Sequence, residues 1–290
     1  MKIDHVHFYV EDAPKTRDWF VQQLGFHFIA SGTHGDTRTE VVKSGSACFV
    51  LSSPLGAASP VAEFLRSHPS GVFDLAFRVE DLPTVTLQAV RQGAKLLKPT
   101  QVALSDSGCL QWSQITGWGG LKHSLIERSG ITALLPAIQL FHADGNIAYL
   151  GLEESEVSDP APADPKAEHR PLGITGIDHV VLNVATGDLE RAVHWYQQSL
   201  GFHLQQSFKI QTERSALRSQ VMVYPGTTLQ FPINEPASAN SQIQEFLDIN
   251  RGPGIQHIAL QTSNLVQIIA QLRQRGIDFL SVPPSYYQQL

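Results

Sequence analysis

The chain has 290 residues, 42% hydrophobic and 17% charged, with a formal net charge of −6 from scattered acids. That length holds two ordinary domains with a core in each, and the balance is globular, neither disordered nor fibrous. With 21 Lys and Arg and no basic stripe, no nucleic-acid or membrane-surface partner is expected. No apolar run approaches the roughly 20 residues of a membrane span. Two cysteines, Cys48 and Cys109, are too few for a disulfide framework, and the N-terminus enters a strand pattern directly without a signal-peptide profile. A soluble, cytoplasmic protein is therefore expected.

Taken in order, the chain writes one strand-like pattern four times, at Ile3–Val10, Val72–Val79, Ile177–Val184 and Ile255–Thr262. The third place of each copy is polar: His5, Asp74, His179 and His257. A helix-like segment follows each copy and stops at Gly25, Gly93, Gly201 or Gly276, 19 to 22 residues beyond the polar position. Equal spacing over four copies defines an internal repeat.

In the first unit, the spacing predicts a helix over Ala13–Leu24 with Trp19, Phe20 and Leu24 on its buried side and Gly25 at the C′ position. Alternating segments at Arg38–Lys43 and Ala47–Ser52 read as antiparallel strands around Gly45. The second unit carries a helix over Leu82–Gln92, strands near Val102 and over Gln111–Ile115, and a closing segment Lys122–Glu127. From Gly151 to Gly173 the composition turns to Pro and acids without periodicity, the signature of a linker. The pattern then restarts, with Leu189, Val193, Tyr196 and Leu200 at helical spacing and strands over Gln205–Ile210, Gln220–Tyr224 and Thr228–Phe231. The fourth unit has Leu265, Ile268, Ile269 and Leu272 on a helix, and only 14 residues follow Gly276. The expected division is a domain over 1–150, a linker over 151–173 and a domain over 174–290 that lacks its last strands and helix.

His179 and His257 hold the same place in paired units, so a pseudo-twofold arrangement brings two imidazoles, a common metal-ligand type, into one cavity. The bland alternative is two satisfied core histidines. In the first half the matching pair is His5 and Asp74, and no metal is expected there.

At this point the residues resemble a known family. Paired βαβββ units, an α+β fold with two open-barrel domains and flanking helices, look like the vicinal oxygen chelate (glyoxalase-like) superfamily. The segments Gly176–Val184, Ser215–Ser219, Gln230–Pro236, Ser241–Phe246, Gly252–Leu260 and Pro284–Tyr287 together resemble the 4-hydroxyphenylpyruvate dioxygenases. The resemblance is dense from Gly176 to Leu290 and diffuse before it. It implies an Fe(II) enzyme of tyrosine catabolism that turns a 2-oxo acid, 4-hydroxyphenylpyruvate, and O2 into homogentisate and CO2, and that is usually a homo-oligomer. It also implies that His179 and His257 bind the iron, and that Ser219, Pro232, Asn234, Gln242 and Gln256 surround the substrate. On their own residue types, Ser219 reads as an ordinary strand serine, Asn234 as a turn cap and Gln242 as part of a solvated helix.

The family's third ligand is a Glu on the last strand of the second domain, expected here beyond Leu290; of the nearby acids, Glu213, Glu235 and Glu245, Glu235 is the least implausible substitute. Hydroxymandelate synthase, with the same substrate and metal, is the nearest rival, and Pro232 and Asn234 lean towards the dioxygenase. A non-catalytic ligand-binding protein of the same fold is a rival from another class.

Overall fold

The computed structural model describes residues 1–136, 138–150, 172–211 and 215–280. The first half runs β1 (Lys2–Tyr9), α1 (Ala13–Leu24), β2 (His27–His34), β3 (Thr37–Ser44), β4 (Ala47–Pro54), α2 (Pro60–Ser67), β5 (Gly71–Arg78), α3 (Leu82–Arg91), β6 (Leu96–Ser105), β7 (Gly108–Thr116) and β8 (Lys122–Gly130). A short hairpin, β9 (Thr132–Ala133) and β10 (Tyr149–Leu150), follows. The second half runs β11 (Ile174–Asn183), α4 (Leu189–Leu200), β12 (His203–Gln211), β13 (Ala216–Val223), β14 (Gln230–Pro236), α5 (Gln242–Asn250), β15 (Gly254–Thr262) and α6 (Leu265–Gln274). Most of the linker expected over 151–173 lies outside the described residues.

The repeat is visible in the topology. The first sheet has the order β2-β3-β4-β1-β5-β8-β7-β6 and the second the order β12-β13-β14-β11-β15, which matches the first five places. Within a unit the first strand lies parallel to the last (β1 with β4, β5 with β8, β11 with β14), while the first strands of paired units run antiparallel (β1 with β5, β11 with β15). Antiparallel first strands are what a pseudo-twofold axis between units requires.

Local chemistry sets the helix ends. Asp12 accepts from the Lys15 amide to open α1, and Gly25, at φ 67, ends it in the left-handed region. Gly201 ends α4 in the same way at φ 74. The expected buried side of α1 holds for Phe20 and Leu24, which pack on the core, but Trp19 is 46% exposed. It stands against Phe20 edge-on instead.

One apolar core runs through both halves. Phe77 of β5 meets Phe202 with ring centroids 5.9 Å apart, and the buried His123 of β8 bonds the Leu75 carbonyl through Nδ1 and the Tyr196 hydroxyl of α4 through Nε2. The β3–β4 turn docks on the start of β11, where Ser46 N donates to the Thr175 carbonyl and Ser44 Oγ to the Ile174 carbonyl. Gly45, at φ 55, sits where any Cβ would collide with that Thr175 carbonyl.

The sheets curl, and their concave faces differ. In the first half the segment following β8 fills the hollow: Leu134, Leu135, Leu140 and Ala148 pack on Ala30, Val41, Cys48 and Val50. Arg128 ties the plug down by donating to Asp4, to Thr132 Oγ1 and to the Ala133 and Leu134 carbonyls. The sequence reading placed no element there. In the second half no described segment enters the hollow from beyond β15, and β15 has no strand neighbour on its outer side among the described residues.

Burial lowers the pKa of His123 below its ordinary 6.5. The unfolded chain then binds a proton near pH 6.5 that the folded chain resists, so this term is fully present above that pH and is lost as pH falls below it. Urea midpoints measured from pH 7.5 to 5.5 should fall, and the fall should be shallower in His123→Gln.

Candidate metal centre

Alternation along the strands assigns each side chain of the second sheet to a face. Val180, Leu182 and Val184 of β11, Phe231 and Ile233 of β14 and Met222 of β13 point into the core, where they meet Leu189, Val193, Tyr196 and Leu200 of α4. The intervening residues therefore stand on the opposite face: His179, Val181 and Asn183 on β11; Gln230, Pro232 and Asn234 on β14; Ser219 and Val221 on β13; of these Val181 and Asn183 are fully covered. Register agrees, since His179 pairs with Gln230, Asn183 with Asn234, and Asn234 with Ser219. On β15, His257 pairs with Val181 and Ala259 with His179, which puts both imidazoles on the same face as diagonal neighbours.

The two rings stand with centroids 5.7 Å apart and planes at 76°. Each Nδ1 is engaged by the preceding residue: His179 with Asp178 Oδ2 at 2.7 Å, His257 with Gln256 Oε1 at 2.9 Å. An acceptor on Nδ1 fixes the proton there and leaves the Nε2 lone pair free, the arrangement that orients a metal-ligating histidine. Two rings ligating one ion through Nε2 at about 2.1 Å have centroids within about 6.5 Å, so the observed separation fits a shared ion. Burial, then the neighbouring His179, lowers the pKa of His257, which keeps its ring neutral and able to ligate.

Among the described residues no third His, Cys, Asp or Glu joins the pair. Glu235 is excluded by its position. It lies on the opposite face, buried, accepting from the Gly187 and Leu189 amides at 2.9 and 3.1 Å and from Arg218 at 2.6 Å. It caps α4 and is not a ligand. Glu245 is exposed on α5, and Glu213, like the region beyond Leu290, lies outside the described residues.

The other expected site residues fall into two groups. Ser219, Pro232 and Asn234 come together on the concave face, and Asn234 lies inside β14 rather than at a turn. Gln256 reaches His257, and Gln242 stands exposed at the first position of α5, just past the cap Ser241. Sequence reasoning missed Asp178, although the Asp-His pair is written twice, at Asp4-His5 and Asp178-His179. It also missed Asn183, which is fully buried with neither side-chain atom partnered among the described residues.

The equivalent place in the first half is chemically occupied. His5 Nδ1 is held by Asp4, which is bound to Arg128. Asp74, the counterpart of His257, accepts from Gln114 Nε2, Ser124 N and Ser124 Oγ, so protein donors saturate its carboxylate.

The profile of the Glyoxalase/Bleomycin resistance protein/Dioxygenase superfamily matches residues 2–108 and 176–290. The 4-hydroxyphenylpyruvate dioxygenase of Yarrowia lipolytica is 34% identical over 99% of this chain and 72% of its own length; that of Danio rerio is 34% identical over 100% and 72%. The Dictyostelium discoideum enzyme is 34% identical over 99% of this chain and 77% of its own. A solved triple mutant of 4-hydroxymandelate synthase from Streptomyces coelicolor superposes with a TM-score of 0.80 at 27% identity, covering 99% of this chain and 78% of that one. Fold and paired units thus place the chain in that superfamily. Within it, the chain belongs to the 4-hydroxyphenylpyruvate dioxygenase family.

If Asp178 and Gln256 set the imidazoles, Asp178→Asn and Gln256→Leu should each weaken metal affinity by about 10–100-fold in a calorimetric titration. Glu235→Ala should instead cost about 1–3 kcal/mol of folding stability, by stranding buried amide donors, and leave metal affinity unchanged.

Proposed function

We propose that the chain acts as an Fe(II)-dependent dioxygenase converting 4-hydroxyphenylpyruvate and O2 to homogentisate and CO2. The observation that carries this is the convergence of His179 and His257, each with Nδ1 engaged and Nε2 free among the described residues, on the face that also bears Ser219, Pro232 and Asn234. The names of the relatives supply the substrate class. Bound iron would supply a centre with positions left open for a chelating 2-oxo acid and O2.

The chain's own residues do the rest. His179 and His257 would hold the ion through Nε2, with Asp178 and Gln256 engaging Nδ1 so that neither ring turns away. Pro232 offers an apolar contact to an aromatic ring. Ser219 and Asn234 would hydrogen-bond the ring hydroxyl without adding charge, and Gln242, exposed at the first position of α5, is the remaining polar candidate. A single metal per chain follows, because the first hollow is plugged and Asp74 is already saturated. A homo-oligomer in the cytoplasm belongs to the same reading, and among the described residues no helix is long and apolar enough to cross a membrane.

A second reading, hydroxymandelate synthase activity, is favoured by the structural likeness at TM-score 0.80. Product analysis separates the two. With Fe(II), O2 and 4-hydroxyphenylpyruvate the expected product is homogentisate, lost in His179→Ala and His257→Ala. Accumulation of 4-hydroxymandelate would overturn the assignment in favour of the synthase.

A further inference from the structure

Two hairpin turns of the first half, at the same place in their units, each end on a strand that carries a metal-site histidine. In the first unit the β3–β4 turn meets the start of β11. Ser46 N and Ser46 Oγ donate to the Thr175 carbonyl at 2.9 and 3.2 Å, and Ser44 Oγ donates to the Ile174 carbonyl at 2.9 Å. In the second unit the β7–β8 turn, around Trp118–Gly120, meets Pro253 at the start of β15. Gly117 N closes that turn by donating to the Leu121 carbonyl at 2.7 Å, and the Arg191 guanidinium of α4 lies 5.6 Å from the Trp118 ring centroid. Thr175 stands four residues ahead of His179, and Pro253 four residues ahead of His257.

Both seats are glycines in the left-handed region, Gly45 at φ 55 and Gly119 at φ 63. A Cβ on Gly45 would collide with the Thr175 carbonyl, and one on Gly119 with the Pro253 ring. The fit is close from the other side too, since a Cβ on Gly176 would collide with Ser46 Oγ. Pro253 is held in turn by Asn250 Nδ2, which donates to the Gly252 and Pro253 carbonyls at 3.0 and 3.1 Å. The β11–β15 ladder is interrupted around the histidines. Its register slips between Ile174 and Gly176, between Ile177 and His179 and between Val181 and Leu182, so Thr175, Asp178 and, on β15, Gln256 are extra residues. Each such bulge breaks the pairing locally and bends and twists the strand. Where each strand enters therefore bears on how the two imidazoles meet.

We propose that the first half works as a two-point clamp on the metal centre: Gly45 and Gly119 are positioning residues that fix where β11 and β15 start, and through them the separation of His179 and His257. This rests on the metal-binding reading of the histidine pair. Neither glycine touches the ion; each acts through the backbone it lets approach. A methyl group at either turn pushes one histidine strand against the other. Equal backbone strain at a turn that touches neither strand leaves the pair where it is.

The test compares matched alanine variants. Gly45→Ala and Gly119→Ala press on β11 and β15. Gly35→Ala and Gly120→Ala carry left-handed strain as well, at φ 52 and 95, with nothing within 4 Å of the added methyl among the described residues. Anaerobic Fe(II) calorimetry and a thermal melt are recorded for each. All four should melt below the wild type, because alanine resists a positive φ. Only Gly45→Ala and Gly119→Ala should also lose iron affinity, by about tenfold or more, the scale of a disturbed support around a metal site. Should Gly45→Ala fail to fold, Ser44→Ala, which drops only the bond to Ile174, replaces it and should weaken iron binding in the same direction. Affinity that falls alike in all four glycine variants, in none, or at one turn alone would overturn the clamp. Collapse of both seat variants, with Ser44→Ala binding iron as the wild type does, would overturn it too. In each of these outcomes the wild type still binds its ion and the metal reading stands. A wild type that binds no iron would overturn both together.

Discussion

The structure depends on the register between β11 and β15. A strand has two faces and a slip of one residue exchanges them, so the site exists only because Val181 lies opposite His257 and Ala259 opposite His179. That register is held from below by the core, where Val180, Leu182, Phe231 and Ile233 must stay against α4. Burial of the aliphatic face thus aims the imidazoles of the other face. The same alternation sends Glu235 to the helix side, where it serves α4 and Arg218 and is out of reach of any ion at the histidines.

The two halves use one architecture for opposite ends. The first sheet folds its own chain into its hollow, with Arg128 binding the plug to Asp4, and its polar residues bond one another. The second sheet has the same strand order over five strands but, among the described residues, leaves Nε2 of its two imidazoles, both amide atoms of Asn183 and Oδ1 of Asn234 without partners. Among the described residues, buried polarity is left unsatisfied in the second copy and bonded within the protein in the first. The first half contributes support, through the shared core, the His123–Tyr196 bond and the seat that Gly45 makes for β11.

Much of this was legible in the sequence because it rests on local patterns. The fourfold strand motif and the glycines after each helix gave the paired units, and His179 and His257 stood at equivalent places within them. Elements that depend on distant packing were not legible. The plug over residues 131–148 has no period of its own, because its leucines are chosen by the hollow they enter. Trp19 fits a helical stripe yet stays half-exposed, since Phe20 takes the place against the core. Pro232 and Pro236 hid the length of β14, which runs on through Asn234. Asn183 reads as a chance polar residue in an aliphatic strand, and no local pattern marks it as fully buried.

The most direct test of the division between the halves is an anaerobic calorimetric titration with Fe(II) on the wild type, His179→Ala and His5→Gln. One ion per chain, lost in His179→Ala and retained in His5→Gln, is the result this account predicts. Binding that survives His179→Ala and disappears in His5→Gln would place the metal in the first half and contradict it.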